Sequence, residues 1–304
     1  MDGLLIVDKP VGPSSHDLVV RVRRAIREKR IGHTGTLDPM ASGVMALVLG
    51  RATRLARYLS GDDKTYEAEI RLGFATDTYD AKGTKTGADY TGAIPDAGAI
   101  ERALDAFRGA FVQTPPSYSA KMIDGTRSYK LARAAGTETP TLPAAVEVVT
   151  RSLELLGLEG DRLRLRVCCT AGFYMRSLAH DLGARLGTGA HLTGLRRTAA
   201  GAFTLAQAVD ADLVDRYPDR AAASIVPMSD MLPGLPVAVL TDRGTERVAH
   251  GRDIELADVQ ERRPPTSPGT AGRSVRLIDR QGRLVAVAEE RARPGVLHPS
   301  VVLM

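Results

Sequence analysis

No apolar run in this chain reaches the roughly 18 residues that a membrane-crossing helix needs. The opening MDGLLIVDKP also lacks the basic flank and long apolar stretch of a secretion signal. Together these absences set the expectation of a cytoplasmic protein. Cysteine is scarce: Cys168 and Cys169 stand side by side, too few for a disulfide framework and wrongly spaced for a structural zinc site. There is no internal repeat. Lysine is nearly missing, with only seven among 41 basic residues and none after Lys130. The other 34 are arginines, whose planar forks suit phosphates and bases, although genome composition produces the same bias.

What remains is a globular composition: 304 residues, 43% hydrophobic and 25% charged, enough for one large or two medium domains. The net charge of +5 fits either plain solubility or a polyanionic partner.

Leu4-Leu5-Ile6-Val7 reads as a buried strand stopped at Pro10. Ser14 or Ser15 then caps a helix running to about Arg30, with Leu18, Val19, Val22 and Ile26 on one face. IGHTGTLDPMASG (31–43) has neither period and reads as a loop, followed by a buried strand at Val44–Leu49. Tyr66, Ala68, Ile70 and Leu72 alternate as a half-buried strand, residues 99–108 form a short helix, and strands are expected near 145–157 and 162–169. A helix over 174–186 carries the stripe Met175, Leu178, Ala179, Leu182 and Leu186. Strands and helices without a regular βαβ repeat predict an α+β fold with a mixed or antiparallel sheet. PMSDMLPGLP (227–236) is the linker candidate, followed by a small all-β region with strands at 237–240, 254–256, 275–278 and 284–287 and an exposed loop at 261–272.

Several residues invite a chemical reading. Asp38, between Leu37 and Pro39 in a glycine-rich loop, is either a turn residue or a functional carboxylate. His33 is too isolated for a metal set, the loop has no Gly-Lys-Ser/Thr for phosphate, and Ser42 sits in no nucleophile elbow. Arg176 opens a helix, where a cation is disfavoured, so an anionic partner is implied. Tyr66 reads as a strand tyrosine. In TPPSYSAKMIDGTRSYKLAR (114–133), Lys121, Arg127, Lys130 and Arg133 alternate with Tyr118 and Tyr129, a pattern suited to an RNA backbone and to an ordinary solvated segment alike.

Five blocks in one order resemble the TruB family of bacterial tRNA pseudouridine synthases. They are LLIVDKPVGPSSHDLVVRVRR, GHTGTLDPMASGVMALVLGRATR, KTYEAEIRLG, PPSYSAKMIDGTRSY, and CCTAGFYMRSLAHDLG with HLTGLRRT. The resemblance covers about the first two-thirds of the chain, with a looser match to a small RNA-binding PUA-type domain beyond. It implies a catalytic domain over 1–231, an RNA-gripping insertion near 114–133, and a PUA-like domain over 235–304. The implied reaction turns uridine 55 of the tRNA T-loop into pseudouridine with no cofactor and no metal.

By the same resemblance Asp38 is the essential carboxylate, Arg176 its partner, and Tyr66 the tyrosine against the target base. Leu195 packs on that base, Tyr174 belongs to the pocket, and His33 fills the gap left by the flipped uridine. Lys9, Lys121, Arg127, Lys130, Arg196 and Arg197 are implied RNA contacts. Thr170-Ala171-Gly172 and His180-Asp181 depart from the family pattern. The implied partner is the tRNA T-arm, with no membrane, no obligatory protein partner and a monomeric chain. The rival readings are a guide-RNA-directed synthase, an RNA-folding or binding module, and, more distantly, a metal hydrolase.

Overall fold

The computed structural model describes residues 1–134, 141–267 and 273–304. It divides into two compact units, one of Met1–Asp62 with Ala199–Met304 and the other of Asp63–Thr198.

In the first unit the LLIV run becomes the strand Gly3–Lys9, which lies antiparallel to Ala41–Leu49 from Gly3 opposite Leu49 to Lys9 opposite Gly43. It pairs in parallel with the short strand Val209–Asp210. Both long strands are apolar along nearly their whole length and buried on both faces, as continuous apolar runs require. The expected loop at 31–43 is shorter than its sequence suggested. Ile31–His33 pairs with Leu49–Leu47, and the second long strand begins at Ala41.

The first helix covers Ser15–Ile26, with Ser14 and Asp17 forming a reciprocal capping box. It stops four residues before the expected Arg30 because Arg27 is left-handed, at φ 54°, which ends the helical ladder. Its apolar face, Leu18, Val19, Val22 and Ile26, is buried as predicted. Arg21, beyond that face, is bonded to Asp212 and Asp215 at 2.7 and 2.6 Å, which fastens the helix to Ala211–Arg216.

The proline-rich stretch 227–236 is not a loose tether. Met231 and Leu232 are buried in one cluster with Leu4, Ile6, Val44, Leu284, Val287, Val301 and Leu303. Beyond it a five-stranded sheet runs in the order Val259–Arg263, Val237–Leu240, Ser274–Ile278, Leu284–Glu290, Leu297–Val302. The Val237–Leu240 and Ser274–Ile278 pair is parallel and the others antiparallel.

Two expectations for this region fail. Asp242–Ala249 is a helix capped by Thr241, whose apolar stripe is too thin to see in the sequence because only Gly244 and Val248 are buried. Ile254 makes a single bridge to Leu297 rather than a strand, and a tight turn follows at Leu256–Asp258. That turn holds the fully buried Asp258, which is neutralised by Arg243 and Arg247 at 2.8 and 3.3 Å. Of the loop expected at 261–272, the first three residues complete the edge strand and 268–272 lie outside the described residues.

The second unit holds strands in the order Ala190–Ala200 (as far as Thr198), Lys64–Leu72, Arg162–Cys169, Val146–Glu159, Gly109–Gln113. The pairs from Lys64–Leu72 outward are antiparallel. Ala68, Ile70 and Leu72 are buried while Glu69 and Arg71 are not, as the predicted alternation requires, but Tyr66 is only half-buried, like Thr65 and Glu67 beside it. The helices Ala97–Leu104 and Met175–Leu186 occupy the expected places. Parallel and antiparallel pairings with interspersed helices make the fold α+β with mixed sheets.

Candidate active site

The loop carrying Asp38 is held by its main chain at four successive places. The Thr34 amide donates to Ala46 O at 3.1 Å, and Ala41 donates to Asp38 O at 3.0 Å, closing the Asp-Pro turn. Gly12 donates to Pro39 O at 2.8 Å. Leu37 is gripped twice by one hydroxyl: Ser15 Oγ accepts from its amide at 2.8 Å and donates to its carbonyl at 2.9 Å. Asp38 is half-buried, and its own side chain takes no part in these bonds. The turn reading of Asp38 therefore describes its backbone.

His33 ends the short strand paired with Ala41–Leu49, opposite Leu47. Lys9 was expected on a phosphate, but it is fully buried and its ammonium donates to Pro10 O and Pro13 O at 2.9 and 2.8 Å. An ammonium removed from water and bonded to two carbonyls holds the 10–13 bend, the same bend whose Gly12 grips Pro39.

The remaining candidates lie in the second unit. Tyr66 is on Lys64–Leu72, opposite Val167, on the face of Ala68 and Ile70. Leu195, Arg196 and Arg197 lie on the neighbouring strand Ala190–Ala200, where Arg197 is 2% exposed. These two strands are also joined by Thr193 Oγ1, 2.7 Å from Glu69 Oε1. That bond, more than the Arg162 ion pair, holds the Glu69 carboxyl below its usual range despite partial burial.

Tyr174 precedes the helix Met175–Leu186, and its backbone is clasped by the fully buried Gln113. The Gln113 amide group accepts from Tyr174 N at 2.8 Å and donates to Tyr174 O at 3.1 Å. Ser177 Oγ anchors the first turn to Thr114 O at 2.8 Å.

Arg176 is 6% exposed. Its guanidinium donates to Thr78 O at 3.2 Å and Tyr118 O at 2.9 Å, and its Nε stands 3.9 Å from Asp80 Oδ2. Asp80 is itself buried, and its other oxygen accepts from Thr78 Oγ1 at 2.8 Å and from the Lys82 amide at 2.9 Å. One anionic neighbour of Arg176 thus lies inside this unit, at a residue the sequence did not single out.

Tyr118 lies within the segment expected to grip RNA, 114–133. Pro115, Pro116 and Ser117 are buried, and the chain then makes a hairpin of Met122–Ile123 with Thr126–Arg127 and a short helix, Ser128–Ala134. Arg127 and Lys130 are exposed and Lys121 is half-buried. The Arg133 guanidinium lies 5.5 Å over the Tyr129 ring. Beyond Ala134 the segment passes outside the described residues.

Comparison with known proteins adds to these local findings. The family described as TruB family pseudouridylate synthase (N terminal domain) matches residues 23–175, and tRNA pseudouridylate synthase B C-terminal domain matches residues 176–232. The chain is 42% identical over its full length, and over the full length of the relative, to the tRNA pseudouridine synthase B of Solibacter usitatus. It is 42% identical to that of Burkholderia mallei over 98% of this chain and 96% of that one. Among solved structures it resembles a chain of an H/ACA RNP bound to a substrate RNA containing 2'-deoxyuridine, with TM-score 0.74, 24% identity, and coverage of 99% and 85% of the two chains. An archaeal box H/ACA sRNP Nop10-Cbf5 complex is similar with TM-score 0.73, 25% identity, and coverage of 99% and 86%.

Proposed function

The chain belongs to the TruB family of pseudouridylate synthases, and from that premise we propose that it isomerises uridine 55 in the T-loop of tRNA to pseudouridine. The observation that carries this reading is the 42% identity to tRNA pseudouridine synthase B along the whole of both chains.

The reaction breaks the bond between N1 of uracil and C1′ of ribose, turns the ring, joins C5 to C1′, and removes the C5 proton while the freed N1 takes up a proton. Atoms and charge balance without a co-reactant. What the protein must supply is a carboxylate, a dry pocket, and a base taken out of its stack, at a cost of a few kcal/mol.

Asp38 is the essential carboxylate. A carboxylate serves each available route: attack on C1′, addition to the ring, or proton abstraction toward a glycal, because it can add, accept a proton and leave. The four main-chain anchors of its loop support this assignment, since a nucleophile must be held within a fraction of an ångström of its target. Arg176 is the guanidinium that pairs with Asp38, and Asp80 is its positioning residue. Tyr66 lies against the uracil and takes the C5 proton either as a phenolate of lowered pKa or in concert with passing on its own hydroxyl proton, because a phenol of pKa about 10 is protonated at neutral pH.

Leu195 and Tyr174 line the pocket, and His33 fills the place left by the flipped base. Lys121, Arg127, Lys130 and Arg196 track the T-arm, whereas Arg197, expected beside them, is 2% exposed and does not present its guanidinium to an RNA backbone. Lys9 acts through the 10–13 bend. Residues 1–231 form the catalytic domain and 235–304 a PUA-like RNA-binding domain, and the protein works as a monomer on RNA alone.

The guide-directed reading draws on the H/ACA resemblance, which at 24% identity speaks for the fold. One experiment separates the two: purified protein and one unmodified tRNA transcript, followed by chemical mapping of pseudouridine. Product at position 55 with nothing else added supports the proposal. Product only when a guide RNA is supplied overturns it.

A further inference from the structure

Arg176 and His180 are one helical turn apart on Met175–Leu186, so they address the same neighbours. Together they meet three consecutive residues. Arg176 donates to the carbonyl of Thr78 and faces the carboxylate of Asp80. His180 stacks on the ring of Tyr79 between them, with centroids 3.8 Å apart and planes 14° from parallel.

Tyr79 is one of three non-glycine residues at positive φ among the described residues, at 63°. A side-chain-bearing residue keeps that conformation only when its surroundings over-determine it. The backbone contributes, since Leu192 N donates to Tyr79 O at 3.0 Å and Ala81 N donates to Leu192 O at 2.9 Å.

His180 is half-buried and brings no hydrogen bond among the described residues. Its Nδ1 is buried with no partner among the described residues, and burial lowers its pKa, so the ring is neutral. Burial, and secondarily Asp181, raises the Tyr79 phenol, so that ring is neutral too. A buried polar atom left unsatisfied calls for a reason, and an aromatic plate held against Tyr79 supplies one. At 3.9 Å the Arg176–Asp80 contact is longer than a hydrogen bond and does not fix the guanidinium by itself.

We infer that the Tyr79–His180 stack is a positioning device for the reaction: it locks Tyr79 in its left-handed conformation and thereby fixes the Thr78 carbonyl and Asp80 carboxylate that orient Arg176. The inference rests on the reading of Arg176 as part of the catalytic site.

The test uses the full chain and an unmodified T-arm RNA. His180→Leu fills the volume without a π face, and His180→Phe restores the face without the nitrogens. Single-turnover rate at saturating enzyme, RNA affinity by filter binding, and melting temperature are measured for each, with Asp38→Asn in parallel. His180→Leu is expected to slow the chemical step about tenfold or more, a loss of the size that small misplacements produce, with RNA affinity within about twofold of the parent. His180→Phe is expected to recover the rate to within about threefold and to melt no lower than the parent. Tyr79→Leu should be as slow as His180→Leu, and the double variant no slower than either.

A parent-like rate in His180→Leu, no recovery in His180→Phe, or multiplying losses in the double variant overturns the inference. If His180→Leu does not fold, Tyr79→Leu and His180→Phe decide by the same criteria. Turnover by Asp38→Asn overturns the reading of the site instead, whatever the stack variants do.

Discussion

The hydroxyl of Ser15 bonds both the amide and the carbonyl of Leu37, the residue immediately before Asp38. Ser15 and Leu37 are each 3% exposed, so water cannot replace the hydroxyl. Ser15→Ala leaves two buried main-chain groups unpaired and should cost about 1–3 kcal/mol of stability. The same change loosens the backbone under Asp38, so the single-turnover rate should fall while T-arm RNA affinity holds. Thermal melting and rapid-quench kinetics on one preparation check both halves.

Asp80 offers a sharper separation of charge from shape. Asparagine can still accept from Thr78 Oγ1 and the Lys82 amide, but it removes the negative charge facing Arg176. Asp80→Asn is therefore expected to keep its fold and RNA affinity and to lose about tenfold or more in single-turnover rate. Asp80→Ala, which also strands two donors, should in addition melt lower.

Much of this arrangement is written locally. The LLIV run is continuously apolar and continuously buried, and the Ala68 to Leu72 alternation and the Met175 to Leu182 stripe each carry a period that burial then enforces. Asp38 and Arg176 stand out because each breaks a local preference or sits in a loop with no period. The parts that stay hidden depend on distant partners. Ser15 and Ser14 are equivalent caps in the sequence; only the contact 22 residues away shows that Ser14 caps the helix and Ser15 clamps Leu37. Gln113 meets Tyr174 61 residues later. Lys9 reads as a basic surface residue until the 10–13 bend folds over its ammonium. Met231 and Leu232 look like linker residues because prolines surround them, and only the strands they pack against make them core.

Asp181 predicts a pH effect on stability. Burial raises its carboxyl from the ordinary 3.8 to about 6, so the folded chain holds this proton more tightly than the unfolded chain does. A carboxyl raised in this way favours folding fully below about pH 4 and loses that contribution as pH rises through about 6. Asp181→Asn removes the titration. The variant should melt above the parent at about pH 8, with the advantage shrinking through about pH 6 and gone near pH 4. An advantage that is constant across the range would contradict the assignment.

The basic residues should divide by salt dependence. Arg127→Ala and Lys130→Ala each remove an exposed cation. Each should weaken T-arm binding and reduce the slope of log affinity against log salt by about 0.7–0.9. Lys9→Met should leave that slope unchanged and lower the melting temperature, because its ammonium is bonded to Pro10 and Pro13. Binding isotherms at four salt concentrations, read beside melting curves, separate the two classes.

The central claim is that one carboxylate carries the chemistry. Asp38→Asn keeps the size of the side chain and the turn closed by the main chain of Asp38 and Ala41, and removes only the charge and the basicity. The direct measurement is single-turnover pseudouridine formation at position 55 of an unmodified tRNA transcript, with RNA binding followed in the same samples. Parent-like binding and no detectable pseudouridine are expected. Appreciable pseudouridine from Asp38→Asn would contradict the claim.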